Sequence, residues 1–129
     1  MKKVFVDTNI LIDYSKGFDK TLEKLLLLQN ENKLQIFINP VVVAEFFNDK
    51  NLNTPKKLEK AQRFFSFFNI KEITKETGFI AGELLRTKQV DFFADALIAS
   101  TCIENGFEFL TKNKKDFKKV NQLRFFTGT

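Results

Sequence analysis

The chain has 129 residues, 43% apolar and 29% charged, the size and proportions of one globular domain spanning 1–129. It contains no histidine and a single cysteine, Cys102, which excludes Ser-His-Asp and Cys-His catalysis, imidazole metal ligands, cysteine-built zinc sites and a disulfide framework. Twenty-one basic residues against 16 acidic give a net charge of +5, compatible with a polyanionic partner.

Val4-Phe5-Val6 reads as a short buried strand, stopped by Asp7-Thr8-Asn9, after which Ile10-Leu11-Ile12 suits a helical turn or two. This apolar run is too short for a signal peptide, and no run approaches the roughly 20 residues of a membrane span, so a cytoplasmic protein without a membrane partner is expected. After the break at Lys16-Gly17-Phe18, Leu22, Leu25 and Leu26 lie on helical spacing, predicting a helix over 19–32. Gln35 to Ile38 reads as a second strand. Asn39-Pro40 and Thr54-Pro55 are both helix starts, with a polar cap followed by proline at the first helical position. They predict helices to about Asn48 and about Phe68. A strand is expected over Ile70–Ile73, a helix from the Thr74 cap to Lys88, and a helix from Asp91 to Asn105 closed by Gly106. Phe107–Leu110 reads as a strand, Thr111–Phe117 as a basic loop and Leu123–Phe126 as a last strand. The alternation predicts an α/β fold with a mainly parallel central sheet of four to five strands, whose ligands bind beyond the carboxyl ends of the strands.

Four carboxylates stand out against this frame. Asp7 follows the first strand directly, although Asp-Thr-Asn also suits a helix cap or Asx-turn. Glu45 lies in Val41-Val42-Val43-Ala44-Glu45-Phe46-Phe47, apolar on nearly every side of a helix, so it is expected to be buried. Asp95 shares a helix face with Ile98, Ala99 and Cys102, the stripe that should meet the core. Asp91 suits the role of charge at the helix N-terminus better. Asp116 follows the 107–110 strand in a loop where it also balances Lys112, Lys114, Lys115, Lys118 and Lys119. Converging carboxylates without histidine or cysteine suit a hard divalent cation, Mg²⁺ or Mn²⁺, and with it metal-assisted phosphodiester hydrolysis.

The same residues carry a resemblance. Val4-Phe5-Val6-Asp7-Thr8-Asn9 resembles the opening strand motif of PIN-domain nucleases, and Val43-Ala44-Glu45-Phe46 their second acid on a helix. Asp95-Ala96-Leu97-Ile98-Ala99-Ser100 is similar to the family's Asp-Ala-Leu-Ile-Ala signature, and Leu110 to Phe117 to the segment with the fourth acid. The motifs run in order over residues 4–117, and the small size resembles the VapC-type toxins of toxin–antitoxin pairs. The resemblance implies a PIN-like fold and an Mg²⁺-dependent endoribonuclease acting on tRNA or ribosomal RNA. It also implies a homodimer and a cognate antitoxin as partner. Asp7, Glu45, Asp95 and Asp116 would form the acidic cluster, with Asp7 and Asp95 as the firmest metal ligands. Thr8, Asn9, Thr111 and Asn113 would orient it. Two departures are Asn39-Pro40, where the family often has Ser or Thr, and the additional acid Asp91. A PIN nuclease of RNA processing, or a silent PIN-like module that binds RNA or serves assembly, carries the same fold.

Two further expectations concern binding. Lys112, Lys114 and Lys115 flank the acids and either hold an RNA backbone or form a solvated loop. At about 100° per residue, Phe64, Phe65, Phe67 and Phe68 span an arc of roughly 160°, wider than a core stripe of about 100°. With Leu58, Ala61, Phe65 and Phe68 as the core stripe, Phe64 and Phe67 fall at its edge. They are absorbed by burial on two sides or open a groove to a partner, the antitoxin in the VapC-like case.

Overall fold

The computed structural model describes residues 1–128. Five strands form one sheet, β1 (Lys2–Val6), β2 (Leu34–Ile38), β3 (Asn69–Ile70), β4 (Glu108–Leu110) and β5 (Arg124–Phe125), in the spatial order β3-β2-β1-β4-β5. Every pairing is parallel, with Val4 opposite both Ile36 and Glu108. Six helices flank the sheet: α1 (Thr8–Ser15), α2 (Thr21–Asn30), α3 (Pro40–Phe47), α4 (Pro55–Phe65), α5 (Lys75–Arg86) and α6 (Phe93–Asn105).

The core follows from the strands. Val4, Phe5, Val6, Ile36, Ile38 and Phe109 are fully buried, as parallel strands covered on both faces require. Phe5 packs on Phe109 with ring centroids 6.1 Å apart, and Phe117 meets Phe109 edge-on at 4.8 Å. Among the described residues no helix is long and apolar enough to cross a membrane.

Helix starts sit where their caps put them. Asn39 accepts the Val42 amide at 3.1 Å, Thr54 the Lys57 amide at 3.2 Å, and Thr74 forms a reciprocal box with Thr77. Gly106 ends α6 in the left-handed conformation, φ 68°, that favours glycine.

Several boundaries differ from the sequence reading. The 54–68 helix stops at Phe65, because Ser66, Phe67 and Phe68 tighten into three-residue turns donating to Arg63, Phe64 and Phe65. The 100° arithmetic therefore fails beyond Phe65. Phe68 still reaches the core, whereas Phe67 is 61% exposed and Leu58, expected in the core stripe, is also exposed. The strand expected over 70–73 is Asn69–Ile70, where the Asn69 side chain donates to the Ile36 carbonyl at 3.1 Å. Asp91 lies before α6 rather than in it: Val90 is drawn into the core, and the chain turns before the helix begins at Phe93. The basic loop holds a 3-10 turn, Lys114–Phe117, anchored by buried Phe117.

This topology fixes one place for a ligand. The chain runs from β1 outward to β2 and β3, then returns to β1's other side for β4 and β5. The connections after β1 and β4 thus leave in opposite directions, which makes their carboxyl ends the switch point of the sheet.

Candidate active site

Asp7 and Thr111 meet at that switch point. Asp7 follows β1, and its amide donates to the Leu110 carbonyl at 2.9 Å, extending the sheet by one bond. It also caps α1, as the helix-cap reading of Asp-Thr-Asn expects. Its Oδ1 accepts the Thr8 amide at 2.8 Å; its Oδ2 accepts the Thr111 hydroxyl at 2.7 Å and the Asn9 amide group at 3.4 Å. Both oxygens of a buried carboxylate are thereby fixed in place. The Thr111 hydroxyl in turn accepts the Asn113 backbone amide at 3.0 Å, and the Asn9 side-chain Oδ1 accepts the Lys112 backbone amide at 3.3 Å.

Glu45 reaches the site from α3, and its Oε1 accepts the Thr8 hydroxyl at 2.6 Å. It is exposed, not buried as its apolar neighbours suggested. Val42 and Phe46 take the core side of α3, and Ala44 and Glu45 are left facing outward. Asp95 stands in the first turn of α6, half-buried at the open end of the stripe that continues into Ile98, Ala99 and Cys102. Asp116 is exposed and held near by the Phe117 anchor.

Electrostatics bind the four into one cluster. Burial pushes the Asp7 carboxyl above its ordinary value; Thr111 and Thr8 pull it back, and Glu45 and Asp116 push it up again. Asp95 is pushed up to about 6, first by burial and then by Asp7, Asp116 and Glu45. The Cys102 thiol is raised by burial and by Asp7, which keeps it neutral and out of any ligand set.

The donor set tests the expected cation. Every candidate donor is an oxygen, which suits a hard divalent ion. Among the described residues no three acids lie close enough to hold an ion between them. Mg²⁺ commonly binds through one or two carboxylates and keeps several waters, so the cluster fits a hydrated ion rather than a dry cage.

One brace escaped the sequence reading. Buried Asn39 caps α3 with its carbonyl oxygen while its amide nitrogen donates to the Thr101 hydroxyl of α6 at 2.9 Å. It thus ties the helix of Glu45 to the helix of Asp95. The signal was the extra donor of Asn where Ser or Thr would cap equally well.

Lys112 is also placed differently from its neighbours. Its ammonium pairs with Asp13 and, at 2.7 Å, with Asp19, ions of the protein rather than of a ligand. Asp19 is held well below the usual carboxylate range by Lys112 first and Thr21 second. Lys114 lies 5.6 Å from the Phe125 ring centroid, and Lys115 is exposed.

A groove of about 710 Å³ opens beside this loop. Tyr14, Phe46, Leu52, Ala61 and Phe64 line its apolar floor and Lys16, Asp19, Lys20, Glu23, Lys57 and Lys60 its charged rim. Phe64 stacks on Tyr14 with centroids 5.8 Å apart. Phe67 is not among the lining residues.

Comparison with known proteins agrees with the fold. The family model for the PIN domain matches residues 4–123. The chain belongs to the PIN domain family. It is 28% identical over 134 residues to Ribonuclease VapC1 of Rickettsia felis, covering 96% of this chain and 95% of that one. Among solved structures it is similar to VapBC2 from Rickettsia felis bound to a DNA fragment from their promoter, with 27% identity, a TM-score of 0.78 and 96% and 97% of the two chains covered. DNA-bound VapBC from Salmonella typhimurium shares the fold, with a TM-score of 0.81 at 20% identity over 98% of each chain.

In this PIN domain, the raised Asp95 carboxyl makes stability depend on pH. Asp95 binds its proton more tightly in the folded chain than at the ordinary 3.8, so its contribution is full below about pH 4 and is lost as pH rises through about 6. The shift corresponds to about 3 kcal/mol, reduced to about 1 kcal/mol once solvent screening of a half-exposed group is allowed for. Asp95→Asn, melted in EDTA at pH 8, is expected to gain about 1 kcal/mol, or roughly 4 °C, and to lose that gain at pH 4. A variant less stable than the parent at pH 8 would contradict the cost assigned to a buried, repelled Asp95 carboxylate.

Proposed function

We propose that this chain is a metal-dependent endoribonuclease and the toxin of a toxin–antitoxin pair. The observation that carries the reading is the cluster of Asp7, Glu45, Asp95 and Asp116 at the switch point of a parallel sheet, two of its members raised first by burial and then by the others. The relative named Ribonuclease VapC1 and the neighbours solved as VapBC assemblies support the same direction.

Mg²⁺ or Mn²⁺ at the cluster would polarise a phosphodiester, lower the pKa of a bound water and stabilise the leaving oxygen. Asp7 and Asp95 are the carboxylates assigned to hold it, with Glu45 and Asp116 completing the negative field. The chain's own part is orientation. The Thr8 amide and the Thr111 hydroxyl each fix one oxygen of Asp7, the Thr8 hydroxyl fixes Glu45, and Asn9 and Asn113 hold Thr111 and its loop. Lys114 and Lys115 are the lysines assigned to the RNA backbone, with tRNA or ribosomal RNA as the substrate class. Lys112 serves instead through its ion pairs with Asp13 and Asp19.

The reaction is tested with purified protein and RNA. EDTA is expected to stop cleavage, and Mg²⁺ or Mn²⁺ to restore it, with Ca²⁺ a poor substitute because it prefers longer bonds and more ligands. Asp7→Asn and Asp95→Asn should each abolish cleavage in a folded protein. Full activity in Asp95→Asn, or cleavage that persists in EDTA, would overturn the mechanism.

The groove beside the site is assigned to the antitoxin. Its apolar floor and mixed charged rim suit an amphipathic segment. Phe64→Ser is expected to weaken antitoxin binding at least about 10-fold, about 1.4 kcal/mol, while RNA cleavage persists. Phe67→Ser, outside the groove, should leave binding unchanged. Equal binding by a folded Phe64→Ser protein would remove the groove from the interface.

A further inference from the structure

Phe92 and Phe93 break two local rules at one place. Phe92 is the N-cap of α6, where Ser, Thr, Asp or Asn would accept an open backbone amide, and it makes no side-chain capping bond. Both rings are also left in solvent, Phe92 64% and Phe93 70% exposed, although many of the chain's other phenylalanines are buried. The exposure belongs to a fixed backbone. Val90 on one side and Ala96 on the other are buried, and the Ala96 amide donates to the Phe92 carbonyl at 3.0 Å. Local rules broken without a gain in the folded state mark functional positions.

The position says which function. Asp95 lies two and three residues after these rings, in the same first helical turn, and belongs to the acidic cluster. Arg86, the last residue of α5, and Lys88, in the connection leading to the rings, are both exposed. Exposed aromatic rings with cations nearby, at the edge of a phosphodiester site, are the elements that grip single-stranded nucleic acid. Bases stack on the rings and cations follow the backbone.

We propose that Phe92 and Phe93 form a stacking platform for unpaired bases of the RNA next to the scissile bond. The platform rests on the ribonuclease reading above. It adds that these two rings contribute to binding rather than to bond cleavage.

The chain contains no tryptophan, so Phe93→Trp introduces a single optical reporter. Titration with a single-stranded RNA dodecamer of mixed sequence in EDTA is expected to quench its emission at saturation. The Phe92→Leu/Phe93→Leu protein keeps apolar bulk but loses both ring faces. It should bind the dodecamer about 10-fold or more weakly and raise KM with kcat little changed. Phe92→Tyr/Phe93→Tyr should restore parental affinity. The platform is overturned if the leucine variant binds and cleaves like the parent, or if tryptophan emission ignores the RNA while cleavage proceeds. It is also overturned if the leucine variant changes oligomeric state instead, which assigns the rings to a contact between copies. A parent protein that cleaves no RNA under Mg²⁺ or Mn²⁺ would refute the ribonuclease reading itself, a result distinct from these.

Discussion

The burial and mutual repulsion of carboxylates that the fold holds at one end of its sheet is the constraint on which the rest of this structure depends. Asp7 is buried with both oxygens already bonded, and Asp95 is half-buried with its carboxyl pushed up to about 6. No histidine exists in the chain to neutralise them, and the nearby Lys112 is spent on Asp13 and Asp19. A protein that keeps such a cluster stores an electrostatic cost in its folded state, which the divalent cation proposed above would relieve.

The surrounding structure keeps that cost from being relaxed by movement. The strand order places the ends of β1 and β4 side by side, and the Asp7–Leu110 and Asp7–Thr111 bonds join them. Asn39 locks α3 to α6, Phe117 anchors the turn bearing Asp116, and the Thr8 hydroxyl reaches across to Glu45. Each acid comes from a different element, so no local rearrangement separates them all. The same scaffold brings the groove close to the site. Asp19 lines the groove and pairs with Lys112, whose chain neighbour Thr111 holds Asp7.

Much of this was legible in the sequence, because the strongest signals were local. Capping chemistry at Asn39, Thr54 and Thr74 and the Asn105-Gly106 stop marked helices that the fold contains, and Val4-Phe5-Val6 read directly as the central strand. The pattern was less informative where a residue's partner lies far along the chain. Glu45 looked buried because its neighbours are apolar, but those neighbours divide between the core and the groove, as Phe46 shows by serving both. The Phe64–Phe68 run kept helical spacing past the point where turn bonds end the helix, so Phe67 was placed on a face that does not exist. Lys112 was one of several similar lysines in sequence, and only the return of the loop to α1 and the connection after it gives it Asp13 and Asp19 as partners. The cross-brace from Asn39 to Thr101 spans 62 residues, beyond the reach of any local pattern.

The direct measurement is thermal unfolding of the parent and of Asp95→Asn, each with and without millimolar Mn²⁺. If the cluster is a set of repelling carboxylates relieved by a hard cation, Mn²⁺ raises the parent's Tm by several degrees. Binding at about 100 times Kd stabilises by about 2.7 kcal/mol. The same ion then does little for Asp95→Asn, whose metal-free Tm already exceeds the parent's. Equal Mn²⁺ shifts in both proteins, or none in the parent, would contradict the assignment of these acids to a metal.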